Sequence, residues 1–204
     1  MIEEPLLITK ESSRRYGGLL ICGANFAGSP PRPEERFEPY ADYFTHEQNH
    51  FVNRLSLWFD WWSMPLNAED GTPTEVNDSI SATNLFYDTS PEFVLRQQNE
   101  MDFAFERLLK IVNRLNVSGL LIASAKLAEG TRQWLALSES QPISSGDFWV
   151  DLTTAGTLDV ALCPHPTSQQ SQQDVEGCGE IMHEWICYVL TQQRRKRIDA
   201  GLTP

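Results

Sequence analysis

Apolar residues along this chain alternate between short unbroken runs and longer stretches at helical spacing, a pattern that predicts strands alternating with helices. Gly17–Gly23 is a nearly continuous apolar run bounded by glycines, as expected of a strand buried on both faces. Ser79–Tyr87, Val117–Ser124 and Leu158–Cys163 read the same way. Phe51, Leu55, Trp58 and Trp62 recur at spacings of four and three, predicting a helix from Thr45 to Trp62 with an aromatic core-facing stripe. A second helix is expected from the N-cap signal Ser90-Pro91 to about Asn116, a third over Lys126–Leu137 and a last over Val175–Ile198. Asn25–Pro33 is a loop because Gly28, Pro30, Pro31 and Pro33 break regular structure. Asn67–Asp78 and Ser168–Gln173 are polar and read as loops. Gln141–Gly156 reads as a connection holding a short strand at Phe148–Leu152. Strands and helices in this alternation make a mostly parallel sheet covered on both faces.

A chain of 204 residues can bury one good core, and the short connections favour a single domain over 1–204. The formal charge of −12 argues against indiscriminate binding to a polyanion, because such affinity comes from Lys and Arg displacing counterions. A nucleic-acid contact would need a local basic patch, for which Arg14-Arg15, Arg32, Arg36, Lys126 and Arg132 are candidates. Arg194-Arg195-Lys196-Arg197 ends a helix, where cations meet the negative end of the dipole. No basic leader precedes an apolar stretch at Met1-Ile2-Glu3-Glu4, and no apolar run approaches the roughly 20 residues of a membrane span, so a cytoplasmic location is expected. Cys22, Cys163, Cys178 and Cys187 lack CxxC spacing, so neither disulfides nor a thiolate metal site is expected.

Three polar elements stand at the ends of apolar runs: Gly23-Ala24-Asn25, Thr83-Asn84 and His165-Pro166-Thr167. If the runs are parallel strands, all three lie at carboxyl ends, where open α/β sheets form their ligand crevice. An Asn after a strand also serves as a turn residue bonding its own backbone, and a His before Pro also serves as an ordered loop residue.

In these residues and their order the chain resembles the uracil-DNA glycosylase superfamily. The resemblance implies a three-layer α/β sandwich with a central, mostly parallel four-stranded sheet flanked by helices. It implies hydrolysis of the N-glycosidic bond of a deaminated or modified pyrimidine, with no cofactor. Asn25 would position the attacking water, and His165 would hydrogen-bond the departing base. Asn84 would read the base edge, since an amide both donates and accepts. Phe26 would stack on the extruded base; family members commonly carry Pro after the Asn, where this chain has Phe26 and then Ala27, and the small Ala27 would leave room for a base substituted at C5. Ser29, Lys126, Thr167 and Ser168 would contact the nucleic acid, DNA that is single-stranded or carries a damaged base. The segment Ser168–Gln173 lacks the wedge that often fills the hole left by a flipped base.

Two alternatives stand beside this one. The same fold without catalysis would bind a nucleotide or a protein, to which the acidic surface is suited. His46-Glu47-Gln48-Asn49-His50 matches HExxH, in which two His one helical turn apart hold zinc and the Glu acts as general base, with Glu69 a conceivable third ligand.

Overall fold

The four apolar runs form parallel strands: three are shorter than their runs by one to three residues at an end, and the fourth, Leu158–Cys163, is a strand over its whole length. In the computed structural model, which describes residues 7–9, 12–24, 44, 50–86, 98–166 and 170–203, these are β1 (Leu19–Gly23), β2 (Ile80–Asn84), β3 (Gly119–Ala123) and β6 (Leu158–Cys163). The sheet has six strands, not four, in the order β2-β1-β3-β6-β5-β4. Its four parallel members are continued by β5 (Phe148–Ala155), antiparallel to β6, and β4 (Ile143–Ser145), antiparallel to β5.

The segment expected to be mainly a connection over Gln141–Gly156 thus contains two strands. Their signal is weak because β4 is exposed and β5 carries Asp151, Thr153 and Thr154 among its apolar residues. Ala155 pairs with Leu158 across a two-residue turn, with Gly156 at φ 61°, a left-handed conformation that glycine adopts without steric cost.

Alternation along the strands builds two cores. Leu19, Ile21, Ile80, Ala82, Leu121 and Ala161 face a layer formed by α1 (His50–Trp61) and α6 (Gly179–Asp199). Leu20, Cys22, Leu120, Ile122, Val160 and Leu162 face α3 (Gln98–Arg114) and α4 (Ala125–Trp134). The result is the three-layer α/β sandwich. In the first core Trp58 meets Phe148 edge-on at 5.0 Å between ring centroids. In the second, Phe105 stacks on Trp134 at 5.1 Å.

Two short helices modify the expected outline. Asn67–Asp78, expected as a loop, contains α2 (Glu75–Asp78), capped by the Thr74 hydroxyl. The single C-terminal helix is two, α5 (Gln172–Glu176) and α6, divided at Gly177 and Cys178. Helix α1 ends where Ser63 turns left-handed at φ 58° and the Met64 amide reaches back to the Phe59 carbonyl at 2.8 Å. The expected starts of α1 at Thr45 and of α3 at Ser90 lie outside the described residues. All four cysteines are free thiols. No helix among the described residues is long and apolar enough to cross a membrane.

Candidate functional site

Parallel pairing fixes which residues share the carboxyl edge. Gly23 lies opposite Asn84, Cys22 opposite Ile122 and Ala123 opposite Cys163, so the last residues of all four parallel strands end in line. Period-two alternation then sets the side. Asn84 follows Ile80 and Ala82, so it belongs to the face covered by α1 and α6.

Asn84 is half-buried, and its amide turns toward β1. A Cβ placed on Gly23 would lie only 2.4 Å from Asn84 Oδ1, so the absence of a side chain at Gly23 is what admits the amide. The same Cβ would lie 3.7 Å from Phe51 Cε2, an ordinary contact. Beyond Asn84 the pairing continues, with the Leu85 and Phe86 amides donating to the Gly23 and Ala24 carbonyls at 2.9 Å each. The chain after β1 is thereby held at this edge as far as Ala24.

His165 leaves the end of β6 between Pro164 and Pro166 and is half-buried. Its imidazole lies 5.3 Å from the Phe51 ring, tilted at 53°. Burial depresses its pKa below the ordinary 6.5, so the ring is held neutral and presents one N–H at neutral pH. Phe51, at the start of the described part of α1, therefore stands beside both His165 and the Gly23–Asn84 pair. Three inter-strand steps separate β2 from β6, roughly 14 Å of backbone.

Helical periodicity had assigned Phe51 to the core stripe with Leu55, Trp58 and Trp62. The spacing could not show that Phe51 reaches the sheet edge beside Gly23 and His165, where it is half-buried while the other three are fully buried. Arg54, one turn further along α1, was also not marked by the sequence. Its guanidinium donates to the Gln170 carbonyl and lies over the Trp61 ring, tying the chain that follows His165 to α1.

The remaining candidates divide. Lys126 is exposed in the first turn of α4, directly beyond β3, but α4 packs on the opposite face of the sheet. Asn25, Phe26, Ala27, Ser29, Thr167, Ser168, His46, Glu47, Arg32 and Arg36 lie outside the described residues. His50 is the first described residue of α1 and is exposed, and among the described residues no group of three His, Cys, Asp or Glu side chains is arranged to hold a metal ion.

Three proposed patch residues have structural partners. Arg14 pairs with Asp78, Arg15 is buried with its Nε donating to the Ile80 carbonyl at 2.8 Å, and both precede the amino end of β1, away from the edge described above. Arg132 pairs with Asp151, whose side chain is fully buried. Lys196, in the basic run, donates to the Asn116 and Val117 carbonyls at 2.8 and 2.9 Å, and burial lowers its pKa. It borders a cavity of about 440 Å³ at the amino edge, lined also by Leu109, Val112, Trp134 and Leu158, which none of the motif residues reaches.

No protein-family model matches the chain, and no curated protein matches it. A crystal structure of a domain of unknown function (DUF1537) from Bordetella bronchiseptica is similar over 87% of this chain, at 13% sequence identity and a TM-score of 0.35. The chain spans 41% of that protein's length, and so slight a likeness says nothing about activity.

Proposed function

We propose that the carboxyl edge of the sheet binds a pyrimidine base of a nucleic acid and that the chain hydrolyses the N-glycosidic bond holding it. One observation carries this reading: at the carboxyl edge of the sheet the half-buried Phe51 ring lies 5.3 Å from the neutral His165 imidazole and also borders Gly23, where the Asn84 amide is received. A base stacked on Phe51 would meet an amide able to donate and accept at its edge. It would meet an N–H from His165 at a carbonyl. As the glycosidic bond lengthens, negative charge spreads onto that carbonyl, and a fixed donor in a half-dry site stabilises it by about 3–4 kcal/mol. A neutral imidazole can fill this role, since it still carries one N–H to donate. Asn25, two residues beyond Gly23, is the candidate to position water at the sugar carbon. Phe51 takes the stacking role that the resemblance assigned to Phe26.

The net charge of −12 favours a single-stranded or already extruded base over an intact duplex, because few cations are available to hold two phosphate backbones. It also supports the second reading, in which the same edge binds a nucleotide or a protein partner without chemistry.

The test is a panel of single-stranded oligonucleotides, each carrying one uracil or one C5-substituted pyrimidine, with free base measured by mass spectrometry. Release from at least one of them, reduced on the order of a hundredfold in His165→Ala, is the expected result. Retained binding with no base released by the wild-type chain would establish the non-catalytic reading, and neither release nor binding would overturn both.

A further inference from the structure

We propose that Cys187 is a nucleophilic thiol activated by His183, and that it forms mixed disulfides with small disulfides of the glutathione class. The pair lies half-buried on α6 at the margin of the first core and does not depend on the glycosylase reading.

His183 and Cys187 are one helical turn apart, which brings their side chains onto one face. Cys187 Sγ is 3.6 Å from His183 Nε2, and His183 Nδ1 is 3.1 Å from the Trp62 carbonyl oxygen. A carbonyl only accepts, so Nδ1 carries the hydrogen, and in the neutral ring Nε2 is left with its lone pair directed at sulfur. The thiol therefore donates to the imidazole, as a nucleophile donates to its base, and a third group, the Trp62 carbonyl, fixes the base. That carbonyl follows the last residue of α1, where the helix dipole is negative and favours a cation.

The other three thiols have no such arrangement. Cys22, Cys163 and Cys178 are buried, and burial pushes the Cys22 thiol up to about 12 and raises the other two. Cys187 alone is not fully buried. The thiolate is the reacting species, so a base in contact and access to solvent together select this sulfur.

The step balances without an external oxidant. Cys187 passes its proton to His183 Nε2, and the thiolate attacks one sulfur of the disulfide. A Cys187–S–S–R bond forms as the original S–S bond breaks. The leaving thiolate takes the proton from His183 and departs as a free thiol. Cys187 is oxidised to the disulfide level, and one half of the small molecule is reduced.

The experiment treats the full chain with oxidised glutathione and follows intact mass and cysteine-containing peptides with time. The expected result is a single adduct on Cys187, formed at least about tenfold faster than on an unstructured cysteine peptide at the same neutral pH. Cys187→Ser should abolish it. His183→Gln, which keeps a hydrogen-bonding side chain but no base, should slow it by at least about tenfold with the fold retained by circular dichroism. The proposal is overturned if adducts spread over the other cysteines, or if the wild-type chain reacts no faster than the peptide. An unchanged rate in a folded His183→Gln chain would overturn it as well. The first two outcomes need no variant, so a misfolded substitution leaves the proposal testable.

Discussion

The amide of Asn84 occupies the space in which residue 23 would carry a side chain: a Cβ on Gly23 would sit 2.4 Å from Asn84 Oδ1. The obstructing atom is the end of a side chain and not backbone, so Gly23→Ala should move the amide and leave the strand in place. We expect unfolding free energy within about 1 kcal/mol of wild type. Binding or release of a base should nevertheless fall as far as in Asn84→Ala. Denaturant unfolding and the oligonucleotide panel measure the two effects separately. A Gly23→Ala chain with full base release would show that Asn84 does not act from this position.

His165 should make stability depend on pH in a definite direction. Its folded-state pKa lies below the ordinary 6.5, so between the two values the unfolded chain binds more protons than the folded one. The contribution is therefore complete above about pH 6.5 and is lost as pH falls toward the depressed folded value. An NMR titration of the His165 ring should give a midpoint under 6.5, and His165→Asn should flatten the decline in urea stability over that window. A midpoint at or above 6.5 would show that the ring is not desolvated by its setting.

Phe51 and Phe59 both lie on α1 but should respond differently to truncation. Phe59 is fully buried, so Phe59→Ala should cost about 3–5 kcal/mol. Half-buried Phe51 should cost distinctly less as alanine, yet Phe51→Ala should shift the His165 titration back toward 6.5, because the ring 5.3 Å away helps exclude water from the imidazole. Urea unfolding of both variants and the His165 titration of Phe51→Ala are the measurements. Base release, where present, should fall in Phe51→Ala with the loss of the stacking surface.

Arg132 and Asp151 form an ion pair between α4 and β5 with the carboxylate fully buried. Arg132→Ala leaves that charge without its partner and should destabilise by about 3–5 kcal/mol. The double substitution Arg132→Met with Asp151→Leu should recover most of the loss, since a well-packed apolar pair can replace a buried ionic one. Denaturant midpoints of the single and double variants decide this, and an additive loss in the double variant would contradict it.

Much of this fold was legible in the order of residues. Strands buried on both faces need unbroken apolar runs, and each of the four runs became a parallel strand. The antiparallel extension was only half legible. Strand β4 is exposed and β5 buries Asp151 through Arg132, so neither shows the uniform apolar pattern that marks a central strand. The split between α5 and α6 was also hidden, because Val175 continues the apolar spacing across the break at Gly177 and Cys178.

The sequence by itself determined the alternation of layers in this protein and the place of His165 just beyond the last apolar run, since both follow from local periodicity and from where each run stops. Asn84 lies within the run Ser79–Tyr87 and ends β2 only in the folded chain. Only the tertiary structure decided what stands beside both residues. The placement of α1 that brings Phe51 to the edge, and the empty Cβ position at Gly23 that receives an amide from the neighbouring strand, depend on how separate elements meet. The same holds for His183, which takes its orientation from a carbonyl 121 residues away in sequence. Contacts of this kind arise from packing between distant segments, and neither the period of a helix nor that of a strand encodes them.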